Sequence, residues 1–417
     1  MMALRRLPWA ASPPLCSMAV PCARQAARCF SSRQPLTVFS EDQRMLQETV
    51  RKFAVEQIGP LVHKMDEQSA FDPSIVPALF EQGLMGVEIP AEYDGSAMGF
   101  VEACLVVEEI ARVDPAVAVM VDIHNTLINR CLYVFGTDEQ KKEYLPKLAT
   151  NTVGSFCLSE AGSGSDAFAL QARAREVDNG YRITGVKQWI SNSKEAGLFI
   201  VFATVDPAKR HRGITAFLVD AGTPGLEIGQ KYDKLGIRAS STCEVILNDV
   251  FVPRGKVLGN VGEGYKVAIE SLNEGRIGIA AQMVGLAQGA YDVALPYIHD
   301  RKQFGSRIAD FQGMKFQYAE ARMELEAARL LVYNAAALKE ANMPFTAEAA
   351  MAKLYAGRVA ERIASQCIEW LGGYGFTKDY AVEKFFRDSK IGSIYEGTSN
   401  IQLETIAKLI QADYKSS

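Results

Sequence analysis

The sequence contains no apolar run long enough to span a membrane and no excess of basic charge. No uninterrupted apolar segment approaches the ~20 residues that a membrane helix requires. The chain of 417 residues carries a formal net charge of -4. This charge supplies neither a basic field for nucleic acid nor a polybasic patch for an anionic lipid surface. We therefore expect neither nucleic-acid binding nor membrane insertion.

Acidic residues are missing from the first forty positions, where arginines and serines occur instead. An Arg-rich, Ser-containing and acid-free segment is typical of an organelle-targeting presequence, although a disordered basic tail has the same composition. The stretch Arg28-Cys29-Phe30-Ser31 resembles a mitochondrial processing site. We predict a transit peptide over residues 1–30 and a location in the mitochondrial matrix.

The cysteines also lack the short, regular spacing that metal ligands have. Three of them lie in the basic N-terminal segment, and the others are scattered, at Cys104, Cys131, Cys157, Cys243 and Cys367. Scattered cysteines without neighbouring ligands are typical of reduced structural thiols. We predict no metal site.

The hydrophobic period changes twice along the chain, whose length favours two or three domains. Residues 38–150 have a helical period, and Ser40 with Gln43 has the spacing of a capping box at its start. Over residues 151–262 the period becomes two: Leu170, Ala172 and Ala174 alternate with polar residues. Asn179-Gly180 then predicts a hairpin turn.

From residue 263 to 417 the helical period returns. One apolar stripe covers residues 277–298, a second includes Phe316, Met323 and Leu330, a third covers residues 351–370, and a fourth lies near residues 401–410. Stripes of this length predict a four-helix bundle, with Pro296 bending or ending its first helix. The fold class is therefore α+β: an all-helical N-terminal domain, a middle β domain and a C-terminal four-helix bundle.

A glycine motif in the middle region matches G-x-G-x-x-A, from Gly162 to Ala167. A dinucleotide-binding Rossmann loop needs a helix directly afterwards, and here a strand pattern follows. The loop can still present amides and hydroxyls to an anionic or heteroaromatic ligand. Downstream, Trp189-Ile190-Ser191 places a flat apolar ring beside a hydroxyl donor, a pairing that suits a planar cofactor.

Glu396 lies on a Gly-containing turn next to Ile394, Tyr395 and Ile401. A carboxylate in apolar surroundings has a raised pKa and is a stronger base, which suits proton removal from a weak carbon acid. A Glu beside a Gly is also common as a solvated turn residue, so Glu396 gains its meaning from the other motifs.

In order along the chain, these motifs resemble those of the acyl-CoA dehydrogenase family of flavoenzymes, from about residue 40 to the C-terminus. The matching segments are residues 156–166, 189–191, 273–276, 301–305, 369–373 and 395–398. The similarity is greatest to the mitochondrial short/branched-chain branch of the family, and the straight short-chain branch is the nearest rival. The resemblance implies FAD as the cofactor, an acyl-CoA substrate, electron transfer to electron-transfer flavoprotein, and assembly as a homotetramer.

By the same resemblance, Glu396 is the base that removes the α-proton, and its amide helps to bind the thioester oxygen. The residues implied to bind FAD are Phe156, Leu158, Ser159, Gly164, Ser165, Trp189, Ile190, Ser191, Arg301, Gln303, Phe304, Gln312, Glu369, Gly372, Gly373, Thr398 and Asn400. Those implied to line the acyl-CoA path are Ser165, Tyr265, Asn273, Glu274, Gly275 and Arg276.

Some relatives carry the base at the position of Gly275, and glycine cannot serve. Adjacent Glu274 is a weak competitor, because about 100° of helical turn points it away. The role of His211 stays open. The expected activity is α,β-dehydrogenation of short or branched acyl-CoA thioesters, such as 2-methylbutyryl-CoA. The alternatives are a straight short-chain dehydrogenase, an enoyl-CoA reductase working in reverse, an acyl-CoA oxidase and a non-catalytic scaffold.

Overall fold

The computed structural model describes residues 35–416, and the chain divides into two compact units. The first unit ends at Val38, and its described residues form a turn in which Val38 N donates to Pro35 O at 3.0 Å. The second unit begins at Phe39 and carries the helices and strands named below. The predicted transit peptide and the three N-terminal cysteines lie outside the described residues.

The second unit begins with helices. Ser40 Oγ accepts from Gln43 N at 3.1 Å and Gln43 Oε1 accepts from Ser40 N at 3.0 Å, so the predicted capping box is confirmed. The helices are α1 (Glu41–Phe53), α2 (Val62–Gln68), α3 (Ile75–Glu81), α4 (Phe100–Ala111), α5 (Pro115–Asp122), α6 (Arg130–Phe135) and α7 (Asp138–Thr150). π-Helical turns continue α1 and α5 over Ala54–Ile58 and Ile123–Asn129, and 3-10 turns cover Gly59–Leu61 and Ala91–Tyr93.

A sheet of eight strands follows. Its strands are β1 (Val153–Cys157), β2 (Arg173–Val177), β3 (Gly180–Ser191), β4 (Ala196–Thr204), β5 (Ile214–Asp220), β6 (Leu226–Lys231), β7 (Thr242–Pro253) and β8 (Val257–Leu258). They are ordered β6-β7-β3-β2-β4-β5-β8, and β1 pairs in parallel with β4. The connections include 3-10 turns at Pro207–Gly213 and Arg254–Lys256.

The predicted hairpin is confirmed with a small change in its turn. Val177 pairs with Gly180, so the two loop residues are Asp178 and Asn179, and Gly180 already belongs to the strand. Asn179 takes the left-handed φ of 63° that this turn needs, and Asn tolerates it better than most residues. The next element after the glycine motif is the strand β2 and not a helix, in agreement with the argument against a Rossmann loop.

The C-terminal part is helical again. It contains α8 (Gly264–Asp300), α9 (Gln312–Glu340), α10 (Thr346–Leu371), α11 (Val382–Ser389) and α12 (Ser399–Ser416), with a small hairpin of β9 (Lys302–Gln303) and β10 (Ser306–Arg307). Short 3-10 turns lie at Ile308–Asp310, Gly372–Phe376 and Lys390–Ser393. The predicted α+β class, with helical parts on either side of a β region, is confirmed.

For the bundle, one of two expected alternatives is excluded and one prediction was wrong. Pro296 does not end α8, which continues to Asp300. The stripe assigned to the core of α9 faces outward: Phe316 and Met323 are each 64% exposed and Leu330 is 44% exposed. The buried face of α9 instead contains Ala321, Leu325, Ala328 and Val332. The helix carries two apolar faces, and periodicity does not say which one packs inside this chain.

One hydrophobic core contains residues of the N-terminal helices and of the C-terminal bundle. Two further clusters lie around the sheet, and one of them also takes in Leu145 and Leu148 of α7. The five cysteines from Cys104 to Cys367 are buried and free, as predicted for structural thiols. In the segment from residue 35 to 416, no helix is long and apolar enough to cross a membrane.

Glycines on α8 allow the N-terminal helices to approach it closely. A Cβ at Gly285 would collide with the backbone oxygen of Glu108 at α4, and one at Gly289 would collide with that of Arg112. Backbone-to-backbone contact of this kind leaves no space for a side chain. The two glycines therefore fix the distance between α4 and α8.

Buried charges connect α5 and α11 to the loop before β7. Lys384 on α11 donates to Asp114 at 2.9 Å and to Asp388 at 2.6 Å, and Asp388 accepts from the Ile237 amide at 2.5 Å. Asp114 also caps α5 through the Ala116 amide. Because a buried charge must be paired, this cluster fixes the relative positions of α5, α11 and the loop before β7.

We predict that Gly285→Ala destabilises the protein. The added methyl group meets backbone, so overpacking at about 1–3 kcal/mol exceeds the gain of about 0.5–1 kcal/mol that alanine brings to a helix. Gly313→Ala on α9 is the matched control, because a Cβ there meets no atom within 4 Å. Thermal unfolding measures both variants, and equal midpoints would contradict the prediction.

Candidate active site

Glu396 lies on a strained turn between the 3-10 turn Lys390–Ser393 and α12. Its φ is +51° and that of Gly397 is +88°, so both residues are left-handed. A non-glycine residue in this region is held only where its surroundings determine it. Gln402 Nε2 donates to the carbonyl oxygens of Glu396 at 3.0 Å and Gly397 at 2.9 Å, and Lys353 Nζ donates to Gly397 O at 2.7 Å.

The Glu396 carboxylate is held in a desolvated position. Its Oε2 atom is buried and has no hydrogen-bond partner among the described residues. Burial raises the pKa of Glu396 to about 7, against the opposing effect of the Arg276 and Lys353 charges. The rise expected from the sequence is confirmed, so the group changes charge near neutral pH and can act as a general base there.

Gly275 on α8 opens the space beside this carboxylate. A Cβ at that position would lie 3.1 Å from Glu396 Oε2 and 3.0 Å from Leu127 Cδ2. Any side chain there would press on the carboxylate or on Leu127. If position 275 carried an acidic residue, its carboxylate would occupy the same small volume as the Glu396 carboxylate.

Glu274 is turned away from the Glu396 carboxylate and belongs to another ionic group. It lies 2.8 Å from Arg130 Nε and 3.4 Å from Lys339 Nζ. Asn273 accepts from Arg276 Nη1 at 2.9 Å, which orients the guanidinium near Glu396. Of the predicted set 273–276, Gly275 and Arg276 lie at the Glu396 turn and Glu274 does not contact it.

A second carboxyl group, Asp122, faces Glu396 from the end of α5. Its Oδ2 is buried without a partner, and its Oδ1 occupies the space that a side chain at Gly278 would need. Burial, and then the charge of Glu396, raise the pKa of Asp122 well above its ordinary value. Burial therefore disfavours the ionised form of Asp122.

The middle sheet presents the predicted Trp189-Ile190-Ser191 segment. Trp189 is 55% exposed, has a left-handed φ of 63° and lies 4.2 Å from the Tyr232 ring, whereas Ile190 is buried. Phe156 on β1 packs against Phe202 at 4.8 Å, and Leu158 is buried. Ser159 and Ser191 are partly exposed at the ends of β1 and β3.

A buried ion pair fixes the loop that carries Ser159, Gly164 and Ser165. Lys187 Nζ donates to Glu160 Oε1 at 2.7 Å and to Leu158 O at 3.1 Å, and its side chain is fully buried. Glu160 also accepts from the Gln171 and Ala172 amides. Burial lowers the pKa of Lys187, and Glu160 opposes that effect. The two ends of the loop are thereby joined.

The outer end of this region carries an aromatic group. The ring centroid of Tyr265, at the start of α8, lies 4.3 Å from that of Phe168 and 5.1 Å from that of His211. Gly164 and Ser165 are exposed on the adjacent loop. Tyr265 and His211 thus lie together, away from the Glu396 turn.

A further group of residues that were predicted to bind FAD is exposed and separate from the Glu396 turn within this chain. Its members are Arg301, Gln303, Phe304, Gln312, Glu369, Gly372 and Gly373. Phe304 is 97% exposed. Within residues 35–416, no hydrogen bond or ion pair connects this group to the Glu396 turn. Thr398 is partly exposed and Asn400 is exposed at the start of α12, beside the turn.

The chemistry of the site fits a planar heteroaromatic cofactor. Trp189 and Ile394 provide half-exposed apolar surfaces, and Ser159, Ser191 and Thr398 provide hydroxyl groups. A Cβ at Gly164 would meet no atom within 4 Å, so the loop is open to a ligand. Apolar faces with a few hydroxyl and amide groups at the edges suit such a ring.

Sequence reasoning missed Lys353, Gln402, Asp122 and Lys187. Lys353 had a usable signal, since it is a single lysine inside a helical run of alanine and leucine whose neighbours are buried. Gln402 gave none, because a glutamine in the first turns of an amphipathic helix is ordinarily solvated.

Three family profiles match consecutive parts of the chain. They are the N-terminal domain of acyl-CoA dehydrogenase at residues 40–152, its middle domain at residues 155–250 and its C-terminal domain at residues 262–411.

Several known proteins are similar over most of their length. The "Short/branched chain specific acyl-CoA dehydrogenase, mitochondrial" of Rattus norvegicus is 58% identical, covering 93% of this chain and 89% of that protein. The "Probable short/branched chain specific acyl-CoA dehydrogenase" of Dictyostelium discoideum is 57% identical, covering 94% and 95%. The "Short-chain specific acyl-CoA dehydrogenase, mitochondrial" of Rattus norvegicus is 40% identical, covering 90% and 92%.

Solved structures share the fold. The butyryl-CoA dehydrogenase of Megasphaera elsdenii superposes with a TM-score of 0.88 at 36% identity, covering 89% of this chain and 99% of that chain. The acyl-CoA dehydrogenase of Bacillus anthracis complexed with FAD gives a TM-score of 0.85 at 30% identity, covering 91% and 68%.

We predict that Lys187→Met loosens the loop between β1 and β2. The change leaves the Glu160 charge buried without its cation, at a cost of about 3–5 kcal/mol. Hydrogen exchange of the amides of residues 159–172 should therefore become faster. Arg254→Ala, which breaks an exposed ion pair with Glu176 in the same region, is the control and should leave that exchange unchanged. Equal exchange in both variants would refute the role of Lys187.

Proposed function

Because this chain belongs to the acyl-CoA dehydrogenase family, we propose that Glu396 is its catalytic base. The protein is an FAD-dependent oxidoreductase that acts on CH–CH bonds. Its reaction is the α,β-dehydrogenation of short or branched acyl-CoA thioesters, such as 2-methylbutyryl-CoA, to the trans-2-enoyl thioesters. The observation that carries the proposal is the desolvated carboxylate on the left-handed turn, with a pKa of about 7.

Glu396 removes the α-proton of the thioester. Its pKa allows a substantial ionised fraction at neutral pH while leaving it more basic than a solvated carboxylate. The proton moves to the carboxylate, and the negative charge that develops on the thioester oxygen needs a hydrogen-bond donor. We assign that donor to the Glu396 amide, so that one residue supplies both the base and part of the oxyanion site.

FAD, when bound, accepts the β-hydrogen as hydride. We assign the isoalloxazine contacts to Phe156, Leu158, Ser159, Trp189 and Ser191, with Gly164, Ser165, Ile190, Thr398 and Asn400 around them. Arg301, Gln303, Phe304, Gln312, Glu369, Gly372 and Gly373 would contact the adenine and pyrophosphate end. Their exposure, and their separation from Glu396 within one chain, support contact with the FAD of a neighbouring subunit.

The acyl-CoA path would follow α8 from its start to the Glu396 turn. Tyr265 and Ser165 lie at the outer end, and Asn273, Gly275 and Arg276 lie nearer the carboxylate. Glu274 would act on this path only indirectly, because Arg130 and Lys339 hold it. Greater identity to the short/branched-chain relatives than to the short-chain ones supports a short or branched acyl group.

The proposed assembly is a homotetramer that passes electrons to electron-transfer flavoprotein in the mitochondrial matrix. Phe316, Met323 and Leu330 form an apolar stripe on α9 that this chain leaves exposed, which supports its burial against another subunit. The names of the curated relatives and the basic N-terminal segment support the mitochondrial location.

We predict that Glu396→Gln keeps FAD but loses anaerobic flavin reduction by acyl-CoA. Loss of a general base costs about 10²–10⁴-fold in rate. The measurement is stopped-flow bleaching of the flavin absorbance, with Glu404→Gln, an exposed residue of α12, as the control. Retained bleaching in Glu396→Gln together with its loss in Glu274→Gln would move the base to Glu274.

We predict that 2-methylbutyryl-CoA and isobutyryl-CoA bleach the flavin faster than long straight-chain thioesters. A panel of acyl-CoA compounds, titrated anaerobically at equal concentration, measures the preference through the bleaching rate. Fastest bleaching by butyryl-CoA would favour the straight short-chain alternative, and fastest bleaching by a long chain would refute both.

A further inference from the structure

Lys353 is a buried cation that the mechanism above does not use. It lies on α10 and is 1% exposed, between alanines and leucine that pack into the core. A lysine is almost never buried to this extent unless its charge is paired. The Lys353 Nζ donates to the carbonyl oxygen of Gly397 at 2.7 Å, and Gly397 directly follows Glu396.

Two helices hold the carbonyl groups of the Glu396 turn. Lys353 from α10 and Gln402 from α12 both donate to Gly397 O, and Gln402 also donates to Glu396 O. The fit is close, since a Cβ at Gly397 would lie 2.6 Å from Gln402 Nε2. Because Glu396 is a non-glycine residue with a strained left-handed φ, the position of the carboxylate depends on these donors.

We propose that Lys353 is a positioning residue for the Glu396 base, which fixes the turn by its hydrogen bond and favours the ionised carboxylate by its charge. The inference rests on the proposed role of Glu396. Lys353 acts through Glu396 and is not assigned any contact with the substrate.

The groups that face Glu396 leave few sources of positive charge. Arg276 faces it from α8, Lys353 from α10, Asp122 from the end of α5, and Tyr395 from the turn itself. The pKa values of Asp122 and Tyr395 are raised well above their ordinary values, mainly by burial, which disfavours the charged form of each group. Among the described residues, Arg276 and Lys353 are the cations whose charges lower the pKa of Glu396.

The charge of Lys353 itself depends on pH. Burial lowers the pKa of Lys353 to about 8, while Glu396 raises it and Arg276 lowers it. Between pH about 7 and about 8 the carboxylate and the ammonium group are both charged. Removing the cation must raise the pKa of Glu396, because a nearby positive charge favours the ionised form.

The test compares four variants by the pH dependence of flavin reduction by 2-methylbutyryl-CoA. Lys353→Met loses both charge and donor, Lys353→Gln keeps a donor, Lys353→Arg keeps the charge, and Gln402→Met loses only an uncharged donor. Lys408→Met, at an exposed position of α12, is the control.

We predict that Lys353→Met and Lys353→Gln shift the midpoint of the rising limb to higher pH by about one unit. That shift is about a tenfold loss of rate below the midpoint, since one pKa unit is a factor of ten. Lys353→Arg should keep the original midpoint, and Gln402→Met should lower the plateau rate without shifting the midpoint. A merely structural role of Lys353 would lower the rate equally at every pH.

An unchanged midpoint in Lys353→Gln or Lys353→Met would overturn the inference. Should Lys353→Met yield no holoenzyme, Lys353→Gln and Lys353→Arg still separate the charge from the hydrogen bond. Glu396→Gln distinguishes the two proposals. If that variant reduces flavin, the base is elsewhere and both fail; if it does not, an unshifted midpoint refutes only the role of Lys353.

Discussion

Close contact between α8 and the N-terminal helices determines how the rest of the molecule is arranged. Gly278, Gly285 and Gly289 leave α8 without side chains where Asp122, α4 and the backbone of Arg112 approach it. The bundle and the N-terminal helices therefore share one hydrophobic core. Because α8 also carries Gly275, the same packing that joins the two helical parts places Leu127 and the Glu396 carboxylate on one short stretch of that helix.

A carboxylate in such a core needs nearby positive charge to stabilise its ionised form, and the structure supplies only part of that charge. Arg276 and Lys353 are the cations that act on Glu396, and neither is recorded as forming an ion pair with it within 4.0 Å among the described residues. A direct ion pair would lower the pKa strongly and make the group a weak base. Cations at a greater distance leave it ionisable but basic. Burial and the charge of Glu396 both raise the pKa of Asp122, which opposes a second negative charge beside the base.

The sequence predicted the helical and β regions because a packed face repeats with a fixed period. It also singled out Glu396 and the Trp189 segment, although each is an ordinary residue type for its place and gained its meaning only from the other motifs. It failed where one helix has two apolar faces, as at Phe316 and Met323 of α9, since the choice depends on neighbours that are distant in sequence. Local pattern marks Lys353 as an unusual lysine among buried residues but does not say what it contacts, because Gly397 lies on a turn distant in sequence. The same holds for Asp122, which faces Glu396 of that turn.

A base on a turn needs support that a base on a helix does not. A residue at position 275 would be held by the helix backbone, whereas Glu396 has a left-handed φ that its own segment does not stabilise. Its turn must be held from outside, and Gln402 and Lys353 are the side chains that donate to its carbonyl groups. A glycine at 275 and a buried lysine at 353 are therefore two parts of one arrangement. The first opens the space for the carboxylate, and the second keeps the carboxylate in it.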